Sequence, residues 1–222
     1  MQEKISYLVP PNSVSKFREL ALKLSEIGNA NGVVIRPFKL SALPLFSKLS
    51  PAHQQSAVDQ LSLYVAICED VMASAGSLAS SRTFVWRAFS ALGFVPDSNL
   101  FNLIGDDDVV EIYNMENIQI FRNLRFFEFC SYTLEELFSK PWMELFVRED
   151  PEITKQLINL LVTLAETKNP RPVSTNVGPH FTREVGSESC FRVELEVKHV
   201  TVLFSDDGSP EAYVACERAK FA

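Results

Sequence analysis

The stretch FRVELEVKHVTVLF, Phe191 to Phe204, decides the fold. Phe191, Val193, Leu195 and Val197 alternate with Arg192, Glu194, Glu196 and Lys198, the period-two pattern of a strand with one wet face. At Val200, Val202 and Phe204 the face that had been polar turns apolar. With a side-chain period of two, this leaves two readings: a bulge resets the phase, or both faces of the strand are covered. Asp206-Asp207-Gly208-Ser209 follows as a turn, and Ala212, Val214 and Cys216 alternate again in a closing strand.

Upstream, Pro151 and Glu152 open a helix through Ile153, Leu157, Leu160, Leu161, Leu164 and Ala165, which ends before Asn169-Pro170. Asn123 to Lys140 also reads as helical, and Thr133 followed three residues on by Glu136 has capping-box spacing, so a second short helix is expected to start there. Val109 to Met115 and Ile118 to Phe121 are rich in β-branched and aromatic residues and flank Glu116-Asn117, a short hairpin. Strand, strand, helices, strands is the order of an α+β domain with an antiparallel sheet.

The first half reads as helices. Phe17, Leu20, Ala21, Leu24 and Ile27 form one stripe from Ser13, with Gly28 at the expected left-handed cap. Val33 to Ile35 has the composition of a short strand, and Arg36 to Leu49, with Pro37 and Pro44, that of an ordered connector. Ser50-Pro51 starts a long helix carrying Ala57, Val58, Leu61, Val65, Cys68, Val71, Met72 and Ala75 on its stripe. A further helix, Ser81 to Leu92, buries Phe84, Val85, Ala88 and Phe89 and stops at Gly93; Trp86 lies off its stripe. The expected organisation is a mostly helical region, 1–105, followed by a second domain, 106–222.

Of 222 residues, 46% are hydrophobic and 22% charged, with 17 Phe, the balance of a packed protein. A formal charge of −7 gives no broad basic surface, so nucleic-acid and anionic-membrane partners are not expected. No apolar run reaches the roughly 18–20 residues of a membrane helix, and Met1 to Val9 lacks an export pattern, so the expected location is the cytoplasm. Cys68, Cys130, Cys190 and Cys216 form no C-x-x-C pair and are expected to be buried reduced thiols. The three acids after Gly105 lack the alternating spacing of a calcium loop and read as a solvated turn, so no metal site is expected.

Over residues 109–221 the chain resembles the PAS superfamily of small sensory domains. Asn123, Tyr132, Glu135, Glu136 and Leu137 sit at the spacings of the family's N-x-A-x-x-x-L-x-G-Y-x-x-E-E-L stretch, although Arg125 and Ser131 replace its small residue and its Gly. Asp150 stands where the family has an acidic residue ahead of the long helix, and Ser205 to Glu217 is similar to its last hairpin. The resemblance implies a five-stranded antiparallel sheet with short helices on one face, curled into a cup that holds a small ligand or is filled by side chains.

No cofactor is expected. Glu152 to Thr167 offers no axial His for haem, the three in the chain being His53, His180 and His199, and Leu124 replaces the reactive Cys of the flavin-binding subset. No phosphate loop, nucleophile elbow or zinc-protease motif is present, and the acidic pairs Glu135-Glu136 and Glu194/Glu196 fall on faces expected to be exposed, so the chain is expected not to be an enzyme. Two functions remain. The favoured one is a signalling or adaptor module that homodimerises or meets a protein partner carrying the output, through the long helix with Val200, Val202 and Phe204, and through Trp86. The alternative is a sensor whose cup, lined by Phe126, Phe127, Phe129, Trp142, Phe146, Phe191, Val193 and Leu195, with His199 on the same face, binds an apolar ligand.

Overall fold

The stripe predicted from Phe17 to Ile27 is the buried face of α1 (Ser13–Ala30). The computed structural model of the protein describes residues 13–74 and 76–222; Met1 to Val9, and Ala75 on the second helical stripe, lie outside the described residues. The helix runs past Gly28, and the left-handed glycine that follows it is Gly32, at φ 76°. Gly28 has a different reason to be glycine: a Cβ there would lie 2.7 Å from Ile35 Cγ1, because the chain doubles back against the helix. Val33 to Ile35 forms no strand; next to it, Arg36 makes a single parallel bridge to Thr133.

Ser50 caps α2 (Pro51–Ala73), its Oγ accepting the His53 N–H at 3.3 Å. α3 (Ser81–Leu92) ends at Gly93 in the left-handed conformation, φ 77°, as the sequence predicts. A short α4 (Asn99–Leu103) leads into β1 (Asp108–Asn114), which pairs with β2 (Gln119–Arg122). Of the helical run expected from Asn123 to Lys140, the first part is a 3-10 segment, Leu124–Phe129, and the second is α5 (Leu134–Ser139), the short helix expected to start at Thr133. The predicted capping box is formed: Thr133 Oγ1 accepts the Glu136 N–H, and the Glu136 carboxylate accepts the Thr133 N–H.

The remaining elements are α6 (Trp142–Leu145), β3 (Phe146–Arg148), α7 (Pro151–Glu166), β4 (Val173–Ser174), β5 (His180–Glu184), β6 (Arg192–Phe204) and β7 (Pro210–Phe221). The sheet is antiparallel throughout, in the order β2-β1-β7-β6-β5-β3, with β4 added to β6. It has seven strands where five were expected. The excess is short, β3 with three residues and β4 with two, below the length at which a period of two can be read.

The change of phase in β6 is a bulge. Val197 pairs with Glu217 and His199 with Cys216, so Lys198 is the extra residue. Val193, Leu195 and Val197 precede it on one face, and Val200, Val202 and Phe204 resume on that same face. His199 is thereby turned to the opposite side, where its Nδ1 lies 3.2 Å from Ser174 Oγ. The bulge residue itself forms an ion pair with Asp108, which is buried and also accepts the Gly105 N–H at 2.8 Å. The acidic turn is therefore not wholly solvated: its last acid anchors the sheet.

The two sheet faces have different covers. Phe121 is the register partner of Ile112, and both Tyr64 of α2 and Phe84 of α3 pack on its ring, at 5.5 and 5.2 Å between centroids. The other face, with Val197, Val200 and Val202, is covered by Leu157 and Leu164 of α7. One buried cluster joins α1, α2, α3, β1, β7 and the 3-10 segment, so the boundary at 105/106 is a change of secondary structure within a continuous core. Asn123 ties these layers together. Its Oδ1 accepts the Val110 N–H at 3.1 Å, and its Nδ2 donates to Ser81 Oγ and to the Asp108 carbonyl, both at 2.8 Å.

Candidate ligand cavities

The alternation of β1, β6 and β7 places Val109, Glu111, Leu195, Glu217 and Ala219 on the face opposite the N-terminal helices. With Phe126 and Phe129 of the 3-10 segment, Trp142 of α6, Phe146 of β3, Thr182 and Glu184 of β5, Phe191 and Val193, they line a partly open cavity of about 50 Å³. One water needs about 10–15 Å³ of such space, so there is room for a few waters and the rings fill most of the cup. Phe146 meets Phe126 and Trp142 at 6.2 and 5.5 Å, and Phe221 bridges Phe129 and Phe191 at 5.1 and 5.2 Å.

Seven of the expected pocket residues thus stand together. Phe127 and His199 do not. Phe127 packs edge-on to Tyr64, 6.5 Å away, at the boundary with α2, and the bulge at Lys198 carries His199 to the other face. Among the expected interaction residues, Val200 and Val202 are buried beneath α7, at 3% and 0% exposure, and Phe204 is half-buried there, so they present no free surface. Trp86 is 49% exposed, with the Arg87 guanidinium 5.0 Å over its ring.

Two larger cavities flank the cup. One, about 230 Å³, lies between α7 and the sheet. The other, about 260 Å³, lies between the start of α2, the β1–β2 turn and α5–α6. Trp142 lines all three spaces.

The charged groups of this face are buried, and sequence reasoning missed them. Glu184 is satisfied: it accepts the Ser131 N–H at 2.6 Å, the Phe191 N–H at 3.0 Å and the Ser187 hydroxyl at 2.6 Å. Glu111 accepts the Tyr113 hydroxyl at 2.9 Å and the Gln119 amide, while burial and then the Glu217 charge push its carboxyl up to about 8. Arg122, the cross-strand partner of Glu111, lies over the rings of Phe126 and Phe138, and burial lowers its pKa. Glu217 is 4% exposed, lines both the cup and the cavity under α7, and makes no hydrogen bond to any described residue. Burial raises its pKa and Arg148 opposes that rise.

Arg148 is held from two sides. Its Nε donates to His180 Nε2 at 3.3 Å, and its guanidinium lies 4.8 Å over the Trp142 ring. The His180 Nδ1 lies 3.2 Å from the Gly178 carbonyl and donates to it, leaving Nε2 as the acceptor. Burial lowers the His180 pKa, consistent with this neutral ring. For Glu111 alone a signal was present in β1, V-V-E-I-Y, where it interrupts an otherwise apolar run.

Two other expectations are revised. Glu135 and Glu136 are buried rather than exposed, Glu136 in its capping box and Glu135 against the connector. Cys68, Cys130 and Cys216 are buried free thiols, but Cys190 is exposed. Among the described residues, no group of three or more His, Cys, Asp or Glu could hold a metal ion, and no helix is long and apolar enough to cross a membrane.

No protein-family model matches the chain. No curated protein matches it. Among solved structures it is similar to a sensory box sensor histidine kinase from Vibrio cholerae, with 18% identity and a TM-score of 0.34, over 56% of this chain and 90% of that one.

Proposed function

We propose that this chain is a non-catalytic small-molecule sensor that passes ligand occupancy to a protein partner. The observation that carries the reading is Glu217. Its side chain is nearly buried, yet its carboxylate lies on cavity walls and meets no hydrogen-bond donor among the described residues, which leaves it open to a donor from a bound molecule. It lines both the cup and the cavity under α7, where a ligand would supply that donor. The aromatic wall around it gives an apolar contact surface with a few polar groups, the usual make-up of a ligand site. The family resemblance of residues 109–221 agrees with a sensory role.

Native mass spectrometry of the protein as purified from its source cells, with a denatured control, tests the reading. A retained small molecule released on denaturation is the expected result. A ligand-free chain that also binds nothing in solution would overturn it.

A second reading, homodimerisation, is favoured by Val162 of α7, an apolar side chain left half-exposed. The same spectrum reports subunit number. A ligand-free dimer that dissociates when Val162 is replaced by Ser would favour this reading over the first.

A further inference from the structure

Resting on the sensor reading, the geometry points to a free apolar α-amino acid as the ligand of the cavity between α7 and the sheet, its carboxylate on Arg148 and its ammonium on Glu217. Both charged groups line that cavity, and neither forms an ion pair with the other or with any other described residue. Arg148 is fixed through Nε and through the Trp142 ring, so its two terminal nitrogens remain free as the fork that takes a carboxylate in two parallel hydrogen bonds. Glu217 takes the complementary charge. Tyr113 and Tyr213 stack beside it at 5.1 Å, and both hydroxyls are already committed, to Glu111 and to Asn117.

The rest of the wall is mainly apolar. Leu157, Leu161, Val197, Val200 and Ala215 offer a surface for a branched or thioether side chain. The volume of about 230 Å³ lies below the roughly 300–1,000 Å³ of pockets that take drug-sized molecules, which limits the occupant to something smaller. A simple amine leaves the Arg148 fork unused, and a simple acid leaves Glu217 buried and unpaired. A zwitterion with one charge of each sign satisfies both.

The test is isothermal titration calorimetry of the full chain with L-leucine, L-methionine and L-phenylalanine, beside isopentylamine and isocaproate, which each lack one charged group of leucine. At least one amino acid is expected to bind, and the two truncated probes to bind about 10–100-fold more weakly, the loss of one charge-assisted contact. Glu217→Gln and Arg148→Lys are expected to weaken the amino acid by the same factor, with thermal unfolding of the unliganded variants confirming that they fold. Truncated probes that bind as tightly as leucine would overturn the inference. Failure of all five probes, with a different molecule retained in the native mass spectrum, would overturn it and leave the sensor reading standing. Failure of all five with nothing retained would remove both.

Discussion

Glu135 Oε1 accepts the backbone N–H of Leu45 at 2.7 Å, a side-chain contact joining positions ninety residues apart, and it accepts the Phe46 N–H at 3.2 Å as well. The connector between α1 and α2 is thereby pinned to the start of α5. Glu135→Ala orphans two N–H groups at this junction, at about 1–3 kcal/mol for each that water cannot reach. Urea unfolding should show a lower midpoint with an unchanged slope. A midpoint equal to wild type would mean that the connector is held without this carboxylate.

Glu111 makes stability fall as pH rises. Its carboxyl is raised to about 8 from an ordinary 4.5, so between those values the folded chain holds a proton that the unfolded chain has released. Unfolding free energy from this group therefore decreases across that window, by at most about 1.4 kcal/mol per pH unit. Glu111→Gln keeps an acceptor for Gln119 and removes the titration. Melting temperatures across the window should fall less steeply in the variant, and parallel curves would refute the assignment.

Gly28→Ala should destabilise although alanine favours helices. The gain in helix propensity is about 1 kcal/mol. Against it, the new methyl would stand 2.7 Å from Ile35 Cγ1 and 2.8 Å from the Val33 carbonyl, an overpacking that typically costs about 1–3 kcal/mol. A thermal melt decides: a rise in melting temperature would show that the Val33–Ile35 segment yields freely.

Lys198→Met leaves Asp108 buried without its cation. The expected loss is about 3 kcal/mol, the low end for breaking a buried pair, because Lys198 keeps 20% of its side chain exposed. Denaturant titration of this variant beside Asp108→Asn and the double variant measures the coupling directly. Additive losses would show that the pair contributes nothing beyond its parts.

How far these features could be read from sequence depends on their length and on what the pattern encodes. α1, α2, α3 and α7 repeat their apolar stripes over three turns or more, and β6 and β7 hold an alternation long enough to expose even the bulge as one of two readings. β5, His180–Glu184, is five residues long with charged positions at its end, and β3 and β4 are shorter still. The aromatic wall was legible because Phe and Trp announce burial. Arg148 and Glu217 were not, since charge ordinarily signals a wet face and only the fold reveals which charges it encloses. The side to which His199 turns was hidden for a related reason: one extra residue, at Lys198, inverts it.

Trp142 is a wall common to three chambers, and a shared wall makes their contents rivals. A molecule that shifts the indole to gain room in one chamber takes that room from another. Two ligands that never touch would then antagonise each other through a single ring, and by thermodynamic reciprocity each would weaken the other by the same factor.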